Sequence, residues 1–154
     1  MTDTEITSPQ TTDTSASTST KAEPTLPPPT VWPSLQARDA LALIEFYVDT
    51  FGFLKTAVYA DEDRVAHAQL DWPEGGGIML GSYKPDAEWR RTPGTLGAYV
   101  VTDRLDEIYA RVQAAGTPIR RPLTETYYGG REFSVEDPEG NLWSFGNYRG
   151  EPRS

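Results

Sequence analysis

The sequence of 154 residues contains 14 basic and 23 acidic side chains, a formal net charge of −9, and no cysteine. This length is typical of one folded domain of ordinary size. The acidic balance argues against nucleic acids and anionic membranes as partners. The lack of cysteine excludes disulfides, thiolate metal ligands and thiol catalysis.

The first 29 residues differ in composition from the rest of the chain. They are rich in Thr, Ser and Pro and contain almost no large apolar side chains. Such a segment buries too little surface to offset its loss of conformational entropy, so we predict a disordered tail over 1–29. One folded domain is expected over 30–149, with a short C-terminal tail over 150–154. Acidic residues stand where a secretory signal needs basic ones, and no apolar run could cross a membrane, so we expect a cytoplasmic protein.

The first half of the domain is predicted to contain a strand, a helix and three further strands. A strand over Val31–Ala37 precedes Asp39, a residue type that often caps helices, and Gly52 ends the helix. The apolar residues at helical spacing between them are Leu41, Ile44, Val48 and Phe51. The three strands that follow are predicted over Phe53–Ala60, Val65–Leu70 and Gly77–Tyr83.

The same order recurs in the second half. A strand over Leu96–Thr102 leads to Asp103 as the expected cap, a helix that ends at Gly116, and strands near 118–126, 131–136 and 142–148. The residues that recur 64 positions later are Asp39, Leu41, Ile44, Val48 and Gly52. The Pro73-Glu74-Gly75 turn also recurs, with a spacing that is one residue longer.

This repeat predicts an α+β fold of two tandem βαβββ units. The first unit covers about residues 30–83, the second about 95–149, and a linker over 84–94 joins them. Two such sheets can pair around a cleft with their helices on the outer faces, so the architecture implies a ligand pocket.

Three segments resemble the vicinal oxygen chelate superfamily, which contains glyoxalases, bleomycin-resistance proteins and dioxygenases. They are Phe46-Tyr47 in the first helix, Phe51-Gly52-Phe53 at its end, and the stretch from Glu136 to Trp143 with the sequence Glu-Asp-Pro-Glu-Gly-Asn-Leu-Trp. The resemblance is closest to the metal-free bleomycin-resistance-like branch. It implies a homodimer, because the cleft in this superfamily often forms between units of two chains, although one chain could also form it alone.

The metal enzymes of this superfamily hold a divalent ion with four side chains, usually His and Glu. The resemblance places those positions at Trp32, Met79, either Leu96 or Gly97, and Ser144. None of these is a competent ligand for such an ion. We therefore expect neither a metal nor another cofactor.

The candidate ligand-binding residues follow from strand alternation and from this resemblance. Trp32 occupies a former ligand position, and Ser34 and Gln36 share its face of the first strand. The only histidine, His67, is expected on one face of its strand with Gln69, while Ala66, Ala68 and Leu70 face the helix. The complete set is Trp32, Ser34, Gln36, Tyr59, His67, Met79, Tyr99 and Ser144; no catalytic residue is assigned.

These observations favour a metal-independent protein that sequesters a small molecule, a function typical of antibiotic resistance. Trp, Tyr and Met side chains suit an aromatic or amphipathic ligand, and the acidic charge would favour a cationic one. One alternative is a glyoxalase-like lyase, isomerase or thiol transferase, more readily metal-free than metal-dependent. A second is a regulatory or scaffolding domain with a vestigial cleft.

Overall fold

A computed structural model describes residues 27–153, so nearly all of the expected N-terminal tail lies outside the described residues. The first unit consists of β1 (Ser34–Ala37), α1 (Ala40–Phe46) continued by a π-helical turn (Tyr47–Phe51), β2 (Leu54–Asp61), β3 (Arg64–Asp71) and β4 (Gly77–Ser82). The second consists of β5 (Gly97–Val101), α2 (Leu105–Ala114), β6 (Ile119–Glu125), β7 (Arg131–Glu136) and β8 (Leu142–Gly146). Within the described residues, no helix is long and apolar enough to cross a membrane.

Each unit forms its own four-stranded mixed sheet. The strand orders are β1-β4-β3-β2 and β5-β8-β7-β6, with the first pair of each sheet parallel and the others antiparallel. The predicted α+β fold of two tandem βαβββ units is therefore confirmed. One face of each sheet packs on a helix and forms the core, and the other face is open.

The π-helical turn adds one residue to the first unit between β1 and the end of its helix. Ser34 pairs with Met79 in the first sheet, and Tyr99 pairs with Ser144 in the second, 65 positions later. The left-handed glycines that follow the two helices, Gly52 and Gly116, are only 64 positions apart. The additional residue of the first unit lies in the wider π-helical turn.

The buried stripe of the first helix differs in part from the predicted one. The side chains of Ala40, Leu43, Ile44, Tyr47 and Phe51 are each at most 1% exposed, so Ile44 and Phe51 of the predicted stripe are buried. The predicted stripe was therefore only partly correct, since Leu41 and Val48 lie half-buried at its margins.

The two helices begin differently. Asp39 is the N-cap of α1, as predicted, and its carboxylate accepts a hydrogen bond from the Ala42 backbone N at 3.1 Å. The prediction for Asp103 is wrong, because Arg104 is the N-cap of α2 and the Asp103 carboxylate instead accepts from Arg149.

Aromatic side chains merge the two units into one core. Trp143 and Phe145 of β8 are fully buried, as strand alternation predicts. The ring centroids of Trp143 and Tyr47 lie 5.0 Å apart, and those of Phe145 and Phe51 lie 4.8 Å apart. Neither unit could be removed without exposing this shared apolar surface.

Asp137 lies buried at the centre of this junction and accounts for the Asp-Pro-Glu-Gly-Asn element. One carboxylate oxygen accepts from the backbone N of Glu139 and of Asn141, both at 2.9 Å. The other accepts from the Tyr47 hydroxyl at 2.5 Å, the Asn141 amide at 2.8 Å and the Trp143 indole N at 3.1 Å. The motif therefore makes a tight turn and also binds the first unit through Tyr47.

The repeated Pro-Glu-Gly turns join the units reciprocally. Glu139 accepts hydrogen bonds from the backbone N of Arg38 at 2.6 Å and of Asp39 at 2.9 Å, just before α1. Glu74 accepts from the Thr102 hydroxyl at 2.6 Å and the Asp103 backbone N at 2.7 Å, just before α2. Each turn thus anchors the helix entrance of the other unit.

Candidate ligand-binding site

The open face of the first sheet brings together six of the eight predicted site residues. Strand register aligns Ser34 with Met79, and Met79 in turn with Gln69. We define the first open face by Trp32, Ser34, Gln36, Tyr59, His67, Gln69, Asp71 and Met79. Leu35 and Ala37, which alternate with this set on β1, are 5% and 0% exposed in the core.

Trp32 lies at the start of this face, just before β1, and is half-buried. Its indole ring lies over the backbone of Gly77, the first residue of β4. A Cβ atom built on Gly77 would lie 2.7 Å from Cζ3 of Trp32. The glycine therefore provides the room that the indole occupies.

A depression of about 430 Å³ occupies the other end of the first open face. Ser34, Gln36, His67 and Met79 line it together with the linker residues Trp89 and Arg91. The Gln36 side-chain oxygen accepts a hydrogen bond from the Arg91 backbone N at 2.8 Å, which holds the linker over β1.

His67 and Tyr59 stack on one another on adjacent strands, with ring centroids 6.2 Å apart and planes 24° from parallel. The prediction that Ala66 faces the helix is wrong. The β2–β3 pairing is irregular here, so Val65 enters the core and Ala66 is exposed.

The open face of the second sheet holds the other two predicted residues. We define the second open face by Gly97, Tyr99, Glu132, Ser134, Leu142 and Ser144. Tyr99 pairs with Ser144, whose hydroxyl lies 2.8 Å from that of Ser134. The Tyr99 ring lies over Gly146, and its hydroxyl accepts from the Tyr148 backbone N at 3.2 Å.

Four tyrosines surround a depression of about 690 Å³ on this face. They are Tyr99, Tyr127, Tyr128 and Tyr148. Glu132 lies at its wall, 8% exposed, and accepts hydrogen bonds from Arg121 and, at 2.6 Å, from the Tyr128 hydroxyl. Burial raises the pKa of Tyr99, and the bond to Glu132 raises the pKa of Tyr128. Both phenols are therefore neutral at physiological pH: Tyr128 donates a hydrogen bond to Glu132, and the Tyr99 hydroxyl, which accepts from Tyr148, can donate its own.

Sequence reasoning did not select Glu132 or Tyr148 for the site. The pair Tyr127-Tyr128 beside two glycines was the one local indication of this depression. Glu132 could have been found from the repeat, because it is the second-unit counterpart of His67. Glu132 pairs with Gly146 in the second sheet, and the part of β3 around His67 lies beside Gly81 in the first.

The four positions at which metal enzymes of the superfamily place ligands lie on the two open faces. Strand register resolves the fifth-strand alternative to Gly97, since it pairs with Leu142 on the open face while Leu96 packs against the core. Trp32, Met79, Gly97 and Ser144 offer only a thioether and a hydroxyl, which do not fit a His and Glu ligand set. Nor do residues 27–153 contain another cluster of three His, Cys, Asp or Glu side chains suited to a metal ion.

The two open faces do not meet within the described part of the chain. Among residues 27–153, no hydrogen bond or aromatic ring contact joins the first open face to the second. The described part of the chain therefore presents two separate open faces, each carrying aromatic side chains.

The fold is that of a protein of two tandem βαβββ units, each with one open sheet face. The family model described as the Glyoxalase/Bleomycin resistance protein/Dioxygenase superfamily matches residues 30–145, and the chain belongs to this superfamily.

Similar proteins include uncharacterised protein Mb0911c of Mycobacterium bovis, 31% identical over 126 residues that cover 77% of this chain and 82% of that protein. Among solved structures, TioX from Micromonospora sp. ML1 is 28% identical, with a TM-score of 0.59, covering 73% of this chain and 93% of TioX. TnmS3 from Streptomyces sp. CB03234, described as an antibiotic binding protein, is 25% identical with a TM-score of 0.60, covering 73% of this chain and 88% of TnmS3.

Proposed function

We propose that the protein binds and sequesters an aromatic or amphipathic small molecule without a metal ion. In this proposal the protein is a homodimer, and the ligand lies between the first open face of one protomer and the second open face of its partner. The ligand leaves the cleft chemically unchanged.

The observation that carries the proposal is where the exposed aromatic and apolar side chains lie. Most of the large exposed hydrophobic side chains of residues 27–153 lie on the open faces or at their rims: Tyr59, Trp89, Tyr99, Tyr127, Tyr128 and Leu142. Exposed apolar surface that is concentrated in this way is typical of interaction sites. Flat rings give large contact areas with little loss of side-chain entropy on binding.

The two separate open faces support the proposed dimer. Each open face alone is a shallow surface, whereas a binding pocket normally buries most of its ligand. A two-fold dimer pairs the first open face with the second twice, and so forms two equivalent clefts. The resemblance to the superfamily supports the same arrangement.

Two further observations favour binding over metal-dependent chemistry. The positions of the usual metal ligands hold an indole, a thioether, a glycine and a hydroxyl. In addition, the chain is similar in sequence and fold to TnmS3, which is described as an antibiotic binding protein. Both support a role in protection against a toxic small molecule.

The proposal is tested with protein purified without chelator, by elemental analysis and by titration with a library of flat aromatic natural products while following tryptophan fluorescence. We expect saturable quenching by at least one compound, recovery of that compound unchanged by mass spectrometry, and no stoichiometric metal by elemental analysis. About one equivalent of bound divalent metal per chain, or conversion of the compound, would contradict the proposal. A tightly bound ion would also raise the stability of the folded protein.

A further inference from the structure

We propose that Trp32 and Asp71 form a subsite for the protonated amine of a flat aromatic ligand. This inference rests on the proposed function and extends it by naming the charge of the ligand and the end of the cleft that recognises it.

Trp32 and Asp71 meet across Gly77, which lies between them on the first open face. Asp71 pairs with Gly77 across β3 and β4. A Cβ atom on Gly77 would lie 2.7 Å from Cζ3 of Trp32 and 3.1 Å from Cα of Asp71. The edge of the indole and the backbone of Asp71 therefore lie on either side of Gly77, and the Asp71 side chain belongs to the same open face.

The Asp71 carboxylate is held in place by uncharged groups. It accepts a hydrogen bond from the Thr56 hydroxyl and from the Gln69 side-chain amide at 3.1 and 3.2 Å. Among residues 27–153, no Lys or Arg forms an ion pair with it. The side chain is half-buried. A fixed carboxylate without a cationic partner, partly shielded from water, attracts a cation more strongly than a solvated one does.

The indole complements this carboxylate. The π face of a tryptophan attracts both aromatic rings and cations. A flat ligand stacked on Trp32 would bring a ring-attached ammonium or amidinium group to Asp71. The basic side chains of Lys84 and Arg91 line the opposite end of the same face. This charge gradient would orient the ligand with its positive group toward Asp71.

The test compares two fluorescent probes of similar shape, proflavine, a flat aromatic cation, and acridone, which is uncharged. We expect the wild-type protein to bind proflavine about tenfold more tightly than acridone. Asp71→Asn should remove most of this preference and leave acridone binding within about twofold of wild type. Asp63→Asn removes the same charge from the exposed β2–β3 turn and should leave the preference unchanged.

The outcomes separate the subsite from the function on which it rests. If both probes bind the wild type equally, or if Asp71→Asn and Asp63→Asn behave alike, the subsite is refuted and the binding function stands. If neither probe binds, the subsite is refuted, and the proposed function is decided separately by the titration with the wider library. If circular dichroism shows that Asp71→Asn does not fold, the preference of the wild-type protein for proflavine over acridone is measured from about 0.05 to about 0.5 M salt instead. The preference must fall with salt, and a constant preference overturns the proposal.

Discussion

Replacing Asp137 with Asn removes one negative charge from the junction of the two units while keeping the shape of the side chain. Asp137 is 3% exposed and accepts five hydrogen bonds through its two oxygens. An amide has one oxygen and one NH2 group, so it can replace only one of the two acceptors.

Either orientation of the amide leaves at least two N–H donors facing an NH2 group. If the NH2 replaces the first oxygen, the backbone N–H groups of Glu139 and Asn141 lose their acceptor. If it replaces the second, the N–H groups of the Asn141 side chain and Trp143 lose theirs, while the Tyr47 hydroxyl can rotate. Each buried donor left unpaired costs about 1–3 kcal/mol, so we expect the free energy of unfolding to fall by about 3–5 kcal/mol.

The measurement is urea denaturation followed by tryptophan fluorescence and circular dichroism. The matched control is Glu136→Gln at the neighbouring position. The Glu136 carboxylate forms a partly exposed ion pair with Arg120, so its loss should cost about 1 kcal/mol or less. If Asp137→Asn costs no more than the control, the buried carboxylate does not hold the units together as described.

Four further variants test other parts of the structure. Burial and the adjacent Asp137 raise the pKa of Tyr47 above its ordinary value of 10.0, so at alkaline pH the native state retains a proton that the unfolded state loses. The free energy of unfolding should therefore fall as the pH rises above about 10. Tyr47→Phe should flatten that fall in alkaline denaturation curves. Leu35→Ala, at a core position, should lower the free energy of unfolding by about 2–5 kcal/mol. Trp32→Ala should lower it much less in thermal melts yet weaken binding of a flat aromatic ligand about tenfold. If Trp32→Ala is the more destabilising of the two, the first strand faces the opposite way. Glu139→Ala should destabilise the protein by about 1–3 kcal/mol in urea, because two backbone N–H groups before α1 lose a charged acceptor; an unchanged midpoint would show that water replaces it.

Much of the fold could be predicted from the sequence because it depends on local patterns. Alternation along β1 correctly separates Leu35 and Ala37 in the core from Ser34 and Gln36 on the open face. Helical spacing, helix-ending glycines and their repetition were sufficient for the two-unit architecture.

The features that escaped prediction depend on irregular backbone. The π-helical turn adds one residue to the first helix without any distinctive residue type. The irregular β2–β3 pairing likewise exchanged the environments of Val65 and Ala66. A simple period cannot indicate such local insertions.

Contacts between distant parts of the chain also escaped prediction. The roles of Glu74 and Glu139 depend on how one unit is placed against the other. The formation of a tight turn is enough to account for the motif that contains them, so the motif gives no indication of their contacts with the other unit. Glu132 enters the second open face through its register with Gly146 and its bond to Tyr128. Only the three-dimensional structure brings these groups together.

The shared cleft is tested most directly by a mixed dimer of Trp32→Ala and Tyr99→Ala chains, co-expressed with different tags and purified through both. Each variant alone should lose binding of an aromatic ligand, because each cleft then lacks Trp32 of one chain or Tyr99 of the other. In the mixed dimer one cleft carries both substitutions and the other carries neither. We expect calorimetry to show about half the wild-type number of sites at wild-type affinity. A mixed dimer that binds no better than either parent would contradict a ligand cleft formed between the first open face of one protomer and the second of its partner.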